Sequence, residues 1–244
     1  MLAKSKLKYI QTLGQKKFRQ KERRFIAEGP KIVAELLKAR RENISEIFAV
    51  PQWIKENRQL ILQTPCIEIS GQELEKISQL STPNQVLAVV KQFDDVRPLN
   101  VKGKITLALD AIRDPGNLGT IIRIADWFGV EQIVCSNDSA EVYNPKTVQA
   151  TMGSIARINI YYTNLEDWLA DQKDIHIYAA MLEGQDITSM NKLNEGIILT
   201  GNESSGISPA LLQWANVKIT IPKKGNAESL NAAVATGIIL SHIT

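Results

Sequence analysis

From residue 105 to the end of the chain, short and almost continuously apolar runs alternate with stretches of helical periodicity. Strands are expected at 105–110, 131–135, 155–161, 175–181, 196–200 and 217–221, and helices at 117–128, 143–151, 165–170, 209–214 and 230–242. A strand apolar on both faces has to be covered on both faces, which is the condition of a mostly parallel sheet flanked by crossover helices. This half is therefore read as α/β, with helices on both faces of the sheet.

The first half has the same rhythm on a smaller scale. Leu2, Leu7, Ile10, Leu13 and Phe18 are spaced compatibly with one helix over 2–20. A short strand and turn follow at 25–29, and Pro30 opens a helix running through residue 37, proline being favoured at a first helical position. Strands at 44–50, 66–69 and 86–93 enclose helices at 52–59 and 72–79, which makes a smaller α/β domain. The polar segment 94–103, with Pro98 and Gly103, is the best linker candidate. The expected division is 1–95 as the smaller domain, 96–103 as linker and 104–244 as the larger domain.

Composition narrows the possible chemistry. With 44% hydrophobic and 23% charged residues the chain can bury a sizeable core. It has no apolar stretch of the roughly 18 residues that a bilayer demands. The start is too interrupted by charge to be expected to act as a signal peptide. Cys66 and Cys135 stand alone, which suits a reducing cytoplasm and offers neither a disulfide framework nor a zinc site. His176 alternates with apolar neighbours and reads as strand filler. The net charge of +3 conceals an asymmetry, because Lys4, Lys6, Lys8, Lys16, Lys17, Arg19, Lys21, Arg23 and Arg24 crowd the first 25 residues against Glu22 alone. Such a segment is either a phosphate-backbone contact or a solvated helix face.

Three loops that follow strands are richer in polar groups than a turn requires: Asp114–Gly119 with Arg123 beyond it, Gly201–Gly206, and Pro222–Asn231. Parallel neighbouring strands would place all three at one sheet edge, where ligands of open α/β sheets bind. Each has a plainer explanation. Asn117 could cap a helix opening beside it, Arg123 could pair with Asp126, Glu203 could be a solvated loop acid, and Ser229 could cap the last helix with Asn231 in its first turn. The glycines at 201 and 206 lack a following Lys-Ser/Thr, no GxGxxG follows a strand, and HExxH is absent, so ATPase, dinucleotide and zinc-protease readings lose support.

The order of the loops resembles the SpoU family of RNA ribose 2′-O-methyltransferases, in the SPOUT superfamily. Asp114-Pro-Gly-Asn-Leu-Gly-Thr-Ile-Ile-Arg123, with Ala125 and Phe128-Gly129, is similar to the first family motif. Ile198-Leu-Thr-Gly-Asn-Glu-Ser-Ser-Gly-Ile207 is similar to the second, and Ile219-Thr-Ile-Pro-Lys-Lys-Gly-Asn-Ala-Glu-Ser-Leu-Asn231 to the third. Tyr143-Asn-Pro-Lys-Thr-Val-Gln-Ala-Thr-Met-Gly153 resembles a further stretch common in the family. In the first half, Phe25-Ile-Ala-Glu-Gly29 and Thr82-Pro-Asn-Gln-Val-Leu-Ala-Val89 resemble the substrate-binding domain that many members carry.

The resemblance implies a C-terminal segment threaded into a trefoil knot, an exception to the rule of unknotted connections. It implies S-adenosylmethionine as methyl donor, a homodimer through the C-terminal domain, and neither metal nor membrane. Carried over by position, Thr200, Gly201, Ile221, Leu230 and Asn231 line the donor pocket. Glu203 and Ser229 organise the site with Asn231, while Asn117 and Arg123 face the substrate. Family proposals make the arginine a base, but a guanidinium is effectively never deprotonated in proteins. The reading preferred from the residues is that Arg123 grips a phosphate and stabilises developing charge, with Asn117 orienting the hydroxyl. Lys16, Lys17, Arg19, Lys21, Arg23 and Arg24 are the expected RNA contacts. Domain architecture favours large-subunit ribosomal RNA, with transfer RNA or a non-catalytic RNA-binding role as alternatives.

Overall fold

A computed structural model describes residues 2–93 and 99–244. The core of the expected linker, residues 96–98, and the expected boundary at 95 lie outside the described residues. The chain forms two compact units, residues 1–95 together with Val142–Ala156, and residues 96–141 together with Arg157–Thr244.

In the first unit, α1 (Lys4–Thr12) and α2 (Lys16–Glu22) lead into β1 (Arg24–Glu28), α3 (Pro30–Ala39) and β2 (Ile44–Ala49). Then come α4 (Pro51–Glu56), α5 (Arg58–Ile61), β3 (Cys66–Glu68), α6 (Gly71–Ile77) and β4 (Val86–Lys91). The four strands form a mixed sheet in the order β1-β4-β2-β3, in which β2 and β3 are parallel and the other pairs antiparallel. Ile10 and Leu13 from the first helix and its exit, and Leu74 and Ile77 from α6, pack with Ile26, Phe48, Leu87 and Val89 of the sheet. Phe25 has the opposite parity on β1, so it points to the other face. There its ring lies 4.7 Å from that of Tyr143, which accepts a 2.9 Å hydrogen bond from the Phe93 amide on its hydroxyl. Arg40 Nε donates to the Ala156 carbonyl at 2.9 Å. The segment 142–156 is thus built into this unit, across a gap of 46 residues in the chain that belong to the other.

The single helix expected over 2–20 is two helices, and a buried cation explains the break. Arg19 is 2% exposed, and its guanidinium donates to the carbonyls of Leu13 at 3.0 Å and Gly14 at 2.8 Å. Those carbonyls belong to the exit of α1, where a helix leaves acceptors unsatisfied. The helix expected over 52–59 is likewise split at Asn57, whose side chain donates back to the Trp53 carbonyl at 2.9 Å.

The second unit holds β5 (Ile105–Leu109), α7 (Pro115–Trp127) and β6 (Gln132–Ser136). The chain then passes through α8 (Pro145–Thr151), which packs in the first unit, before β7 (Asn159–Thr163), α9 (Leu165–Ala170), β8 (Ile177–Asp186) and β9 (Gly196–Thr200). It ends with α10 (Pro209–Leu212), β10 (Val217–Thr220) and α11 (Ala232–Ile243). All paired strands of the six-stranded sheet, ordered β10-β8-β9-β5-β6-β7, are parallel. β5, β6 and β9 are buried almost throughout, as the apolar runs require. With β5 and β9 adjacent and β10 in the same direction, the loops after all three leave from one edge.

α7 and α11 both begin at that edge and lie side by side. Near their middles the two helices touch, since a Cβ on Gly237 would sit in ordinary contact with Ile124 at 3.5 Å. Among the described residues no helix is long and apolar enough to cross a membrane.

Candidate active site

Asp114, not Asn117, caps α7. Its carboxylate accepts from the Asn117 amide at 2.9 Å and Pro115 occupies the first helical position, where the missing N–H costs nothing. Asn117 is thereby released into the first turn with its side chain free for other work. The last helix repeats the shift: Asn231, not Ser229, caps α11, its Oδ1 accepting from Ala233 N at 3.0 Å and Val234 N at 3.3 Å.

The three loops converge on Asn117. Its Nδ2 donates to Glu203 Oε1, and its Oδ1 accepts from Asn231 Nδ2 at 2.9 Å. One amide therefore ties the first turn of α7 to the loop after β9 and to the cap of α11. Ser229 and Leu230 are exposed on the loop beside it, and Ile221 is half-buried at the end of β10.

The loop after β9 is locked from below. Asn202 Nδ2 donates to the Ala111 carbonyl at 3.0 Å, while its Oδ1 accepts from Ser204 N at 2.9 Å. Asp110 accepts from Ser208 N at 2.7 Å, and its own amide donates to the Thr200 carbonyl at 2.9 Å. Ala111 is held at φ +53°, a conformation uncommon for a residue with a Cβ, by Asn202 and by a 2.8 Å bond from its amide to Ser136 Oγ. Asp110, Asn202 and Ser136 escaped the sequence reading. The one available signal was Asn202 between Gly201 and Glu203, a residue suited to closing a turn on its own backbone.

Arg123 is exposed on α7 and has no hydrogen bond or ion pair among the described residues. The pairing with Asp126 considered from sequence does not form, because Asp126 takes Arg157 through contacts of 2.7 and 3.0 Å. Thr200 is 4% exposed and its Oγ1 has no hydrogen-bond partner. Gly201 admits no side chain, since a Cβ would lie 2.2 Å from the Gly206 carbonyl carbon. A buried hydroxyl left unsatisfied beside a backbone that tolerates only glycine is what a site for a polar ligand looks like without the ligand. Burial pushes the Cys135 thiol up to about 12, which removes it as a nucleophile. Among the described residues no group of three His, Cys, Asp or Glu could hold a metal ion.

In the first unit, Lys16, Lys17, Lys21 and Arg23 are exposed on and just after α2. Arg24 is half-buried and donates to Tyr9 Oη at 3.3 Å and Ser45 Oγ at 3.4 Å. Arg19 departs from expectation. It is consumed by two backbone carbonyls and presents no charge to a ligand.

Residues 104–241, more than half the chain, match the SpoU rRNA methylase family. The chain belongs to that family. Residues 4–88 match the MRM3-like substrate binding domain. Among relatives of this SpoU protein, the 23S rRNA (guanosine(2553)-2'-O)-methyltransferase RlmP of Bacillus subtilis is 31% identical over 241 residues, covering 98% of this chain and 95% of that protein. A 23S rRNA (uridine(2479)-2'-O)-methyltransferase of Streptomyces viridochromogenes is 30% identical over 65% of this chain and 59% of its own length. The solved structure of an AdoMet-bound rRNA methyltransferase from Sinorhizobium meliloti superposes with a TM-score of 0.84 at 32% identity, covering 99% of this chain and 95% of that one. The family resemblance carried by the three loops stands, and in this SpoU member they meet at one carboxyl edge.

Proposed function

We propose that this SpoU family member transfers a methyl group from S-adenosylmethionine to a ribose 2′-hydroxyl of large-subunit ribosomal RNA. The observation that carries the reading is Asn117, whose one side chain unites the three motif loops through Glu203 and Asn231. Relatives named for 2′-O-methylation of 23S rRNA support the RNA class.

The donor, when bound, supplies an electrophilic methyl on a positively charged sulfur. Thr200, Gly201, Ile221, Leu230 and Asn231 would hold it, the unpartnered Thr200 hydroxyl being the group most in need of a ligand. Arg123 keeps its charge, grips the phosphate of the target nucleotide and stabilises oxyanion character as it develops. Asn117 retains one N–H and one lone pair beyond its two bonds, enough to orient the hydroxyl. Ser229 lies on the loop that completes the edge. In the first unit Lys16, Lys17, Lys21 and Arg23 supply phosphate contacts, with Arg24 beside them. This reading keeps residues 1–95 as the RNA-binding domain, 96–103 as linker and 104–244 as the methyltransferase domain, with Val142–Ala156 lent to the first.

The same reading includes a trefoil knot in the C-terminal segment, a cytoplasmic location and a homodimer. Support for the dimer comes from Trp127, 84% exposed at the end of α7, and Val234, 50% exposed in the first turn of α11, large apolar side chains that a partner subunit would cover.

The test is incubation of the full chain with labelled methyl donor and unmodified 23S rRNA, followed by nuclease digestion and mass spectrometry. A 2′-O-methyl nucleotide at one position is the expected product. A methylated base, or label entering only transfer RNA, would overturn the assignment.

A further inference from the structure

We propose that Glu203 accepts the proton of the ribose hydroxyl; the inference rests on the reading above of the chain as a 2′-O-methyltransferase. A ribose hydroxyl attacking a methyl carbon has to lose its proton, and general-base help is worth about 10²- to 10⁴-fold in such steps. The groups that this edge assembles include very few bases. Asn117, Asn202 and Asn231 are amides, Arg123 is a permanent cation, and Lys223 and Lys224 bring further positive charge. His176 precedes β8 at the opposite end of the strands, and His242 lies in the last turn of α11, about 16 Å along the axis from Asn231.

Carboxylates remain, and most are committed. Asp110 is buried under the Ser208 amide, Asp114 caps α7, and Asp138 holds Arg113 and Ser136. Glu203 differs from them. Its Oε1 is held by Asn117, and its Oε2 accepts no hydrogen bond among the described residues.

The hydrogen-bond polarity leading to Glu203 runs in one direction. The first amides of α11 donate to Asn231 Oδ1, which turns Asn231 Nδ2 outward to donate to Asn117 Oδ1. That bond in turn orients Asn117 Nδ2 as the donor to Glu203 Oε1. Each amide fixes the orientation of the next, and the series of donors begins at a helix N-terminus and ends on the carboxylate. The end of such a series is an acceptor whose second oxygen is aimed by the first. In the step itself the O–H bond of the ribose breaks and its proton passes to Glu203 Oε2. The freed electron pair on oxygen forms the bond to the methyl carbon, the carbon–sulfur bond breaks, and its pair stays on sulfur as a neutral thioether. The carboxyl then returns its proton to solvent.

Glu203→Gln separates this role from a structural one. Its Oε1 still accepts from Asn117, and only the basic oxygen is replaced. The expected result is a fall in kcat of about 100-fold or more, with calorimetric affinity for S-adenosylmethionine and gel-shift affinity for a 23S rRNA fragment both within about threefold of wild type. Glu203→Asp should recover part of the rate, and Glu228→Gln, on the neighbouring loop, should stay close to wild type. A Glu203→Gln enzyme within threefold of the wild-type kcat would overturn the assignment while leaving the 2′-O-methyltransferase reading intact. Loss of donor binding in Glu203→Gln, or a rate collapse in Glu228→Gln, would also overturn it. A wild-type chain that methylates no RNA sinks both readings together.

Discussion

Asn231 turns the two ends of its amide in opposite directions: Oδ1 caps α11, and Nδ2 donates to Asn117 Oδ1 at 2.9 Å. Asn231→Asp separates the two duties, because aspartate is as good an N-cap but has no hydrogen to offer Asn117. The melting temperature should hold within about 2 °C while kcat/KM falls about 10-fold or more, because Asn117 Oδ1 loses the donor that fixes its orientation and meets a carboxylate oxygen instead. Thermal denaturation and initial rates on the same preparation check both halves.

Thr200→Val should stabilise the protein and weaken it as an enzyme. The buried hydroxyl has no partner, so its removal is expected to gain about 1 kcal/mol, some 2–4 °C in melting temperature for a chain this size. Donor affinity should drop several-fold by calorimetry. Equal donor affinity would remove Thr200 from the pocket.

The basic residues of α2 divide into two kinds. Arg19→Met keeps the stem but leaves the Leu13 and Gly14 carbonyls without their donor, and should cost about 1–3 kcal/mol in denaturant unfolding. Lys16→Glu with Lys17→Glu should leave stability unchanged and weaken RNA binding, with a shallower dependence of affinity on salt.

Burial pushes the Glu28 carboxyl above its ordinary value of 4.5, against the opposing effect of hydrogen bonds from Ser78 and the Gln79 amide. A carboxyl whose pKa is raised on folding favours the folded state fully below about 4.5 and loses that contribution as pH rises through its folded value. Wild type should therefore gain stability on acidification toward pH 4.5 relative to Glu28→Gln. Parallel pH profiles of the two unfolding curves would reveal the wrong sign at once.

Trp127→Glu places a charge at the exposed end of α7 and should convert the proposed homodimer to monomer in sedimentation. An unchanged dimer would move the interface elsewhere.

The parallel sheet was legible because doubly covered strands leave unbroken apolar runs: residues 196–200 match β9 to the residue, and 165–170 match α9. The caps were less so. Asp114 and Asn117 are both good capping residues, as are Ser229 and Asn231, and local propensity does not choose between them. Tertiary contacts decide, since Asn117 is drawn to Glu203 and Asn231 to Asn117. Arg19 was misread for a related reason: a run of cations suggests a solvated face, and nothing local marks the one that turns inward to hold a broken helix.

Tyr143 and Ala156, held by Phe93 and Arg40, give the first unit an order of assembly. Its β1–β4 sheet is synthesised early, but the layer that rests on Phe25 arrives only after β5, α7 and β6 have been made. On the ribosome, the first unit cannot finish folding until the chain has grown past residue 156. A fragment ending at 95 is an unfinished domain with an uncovered aromatic face.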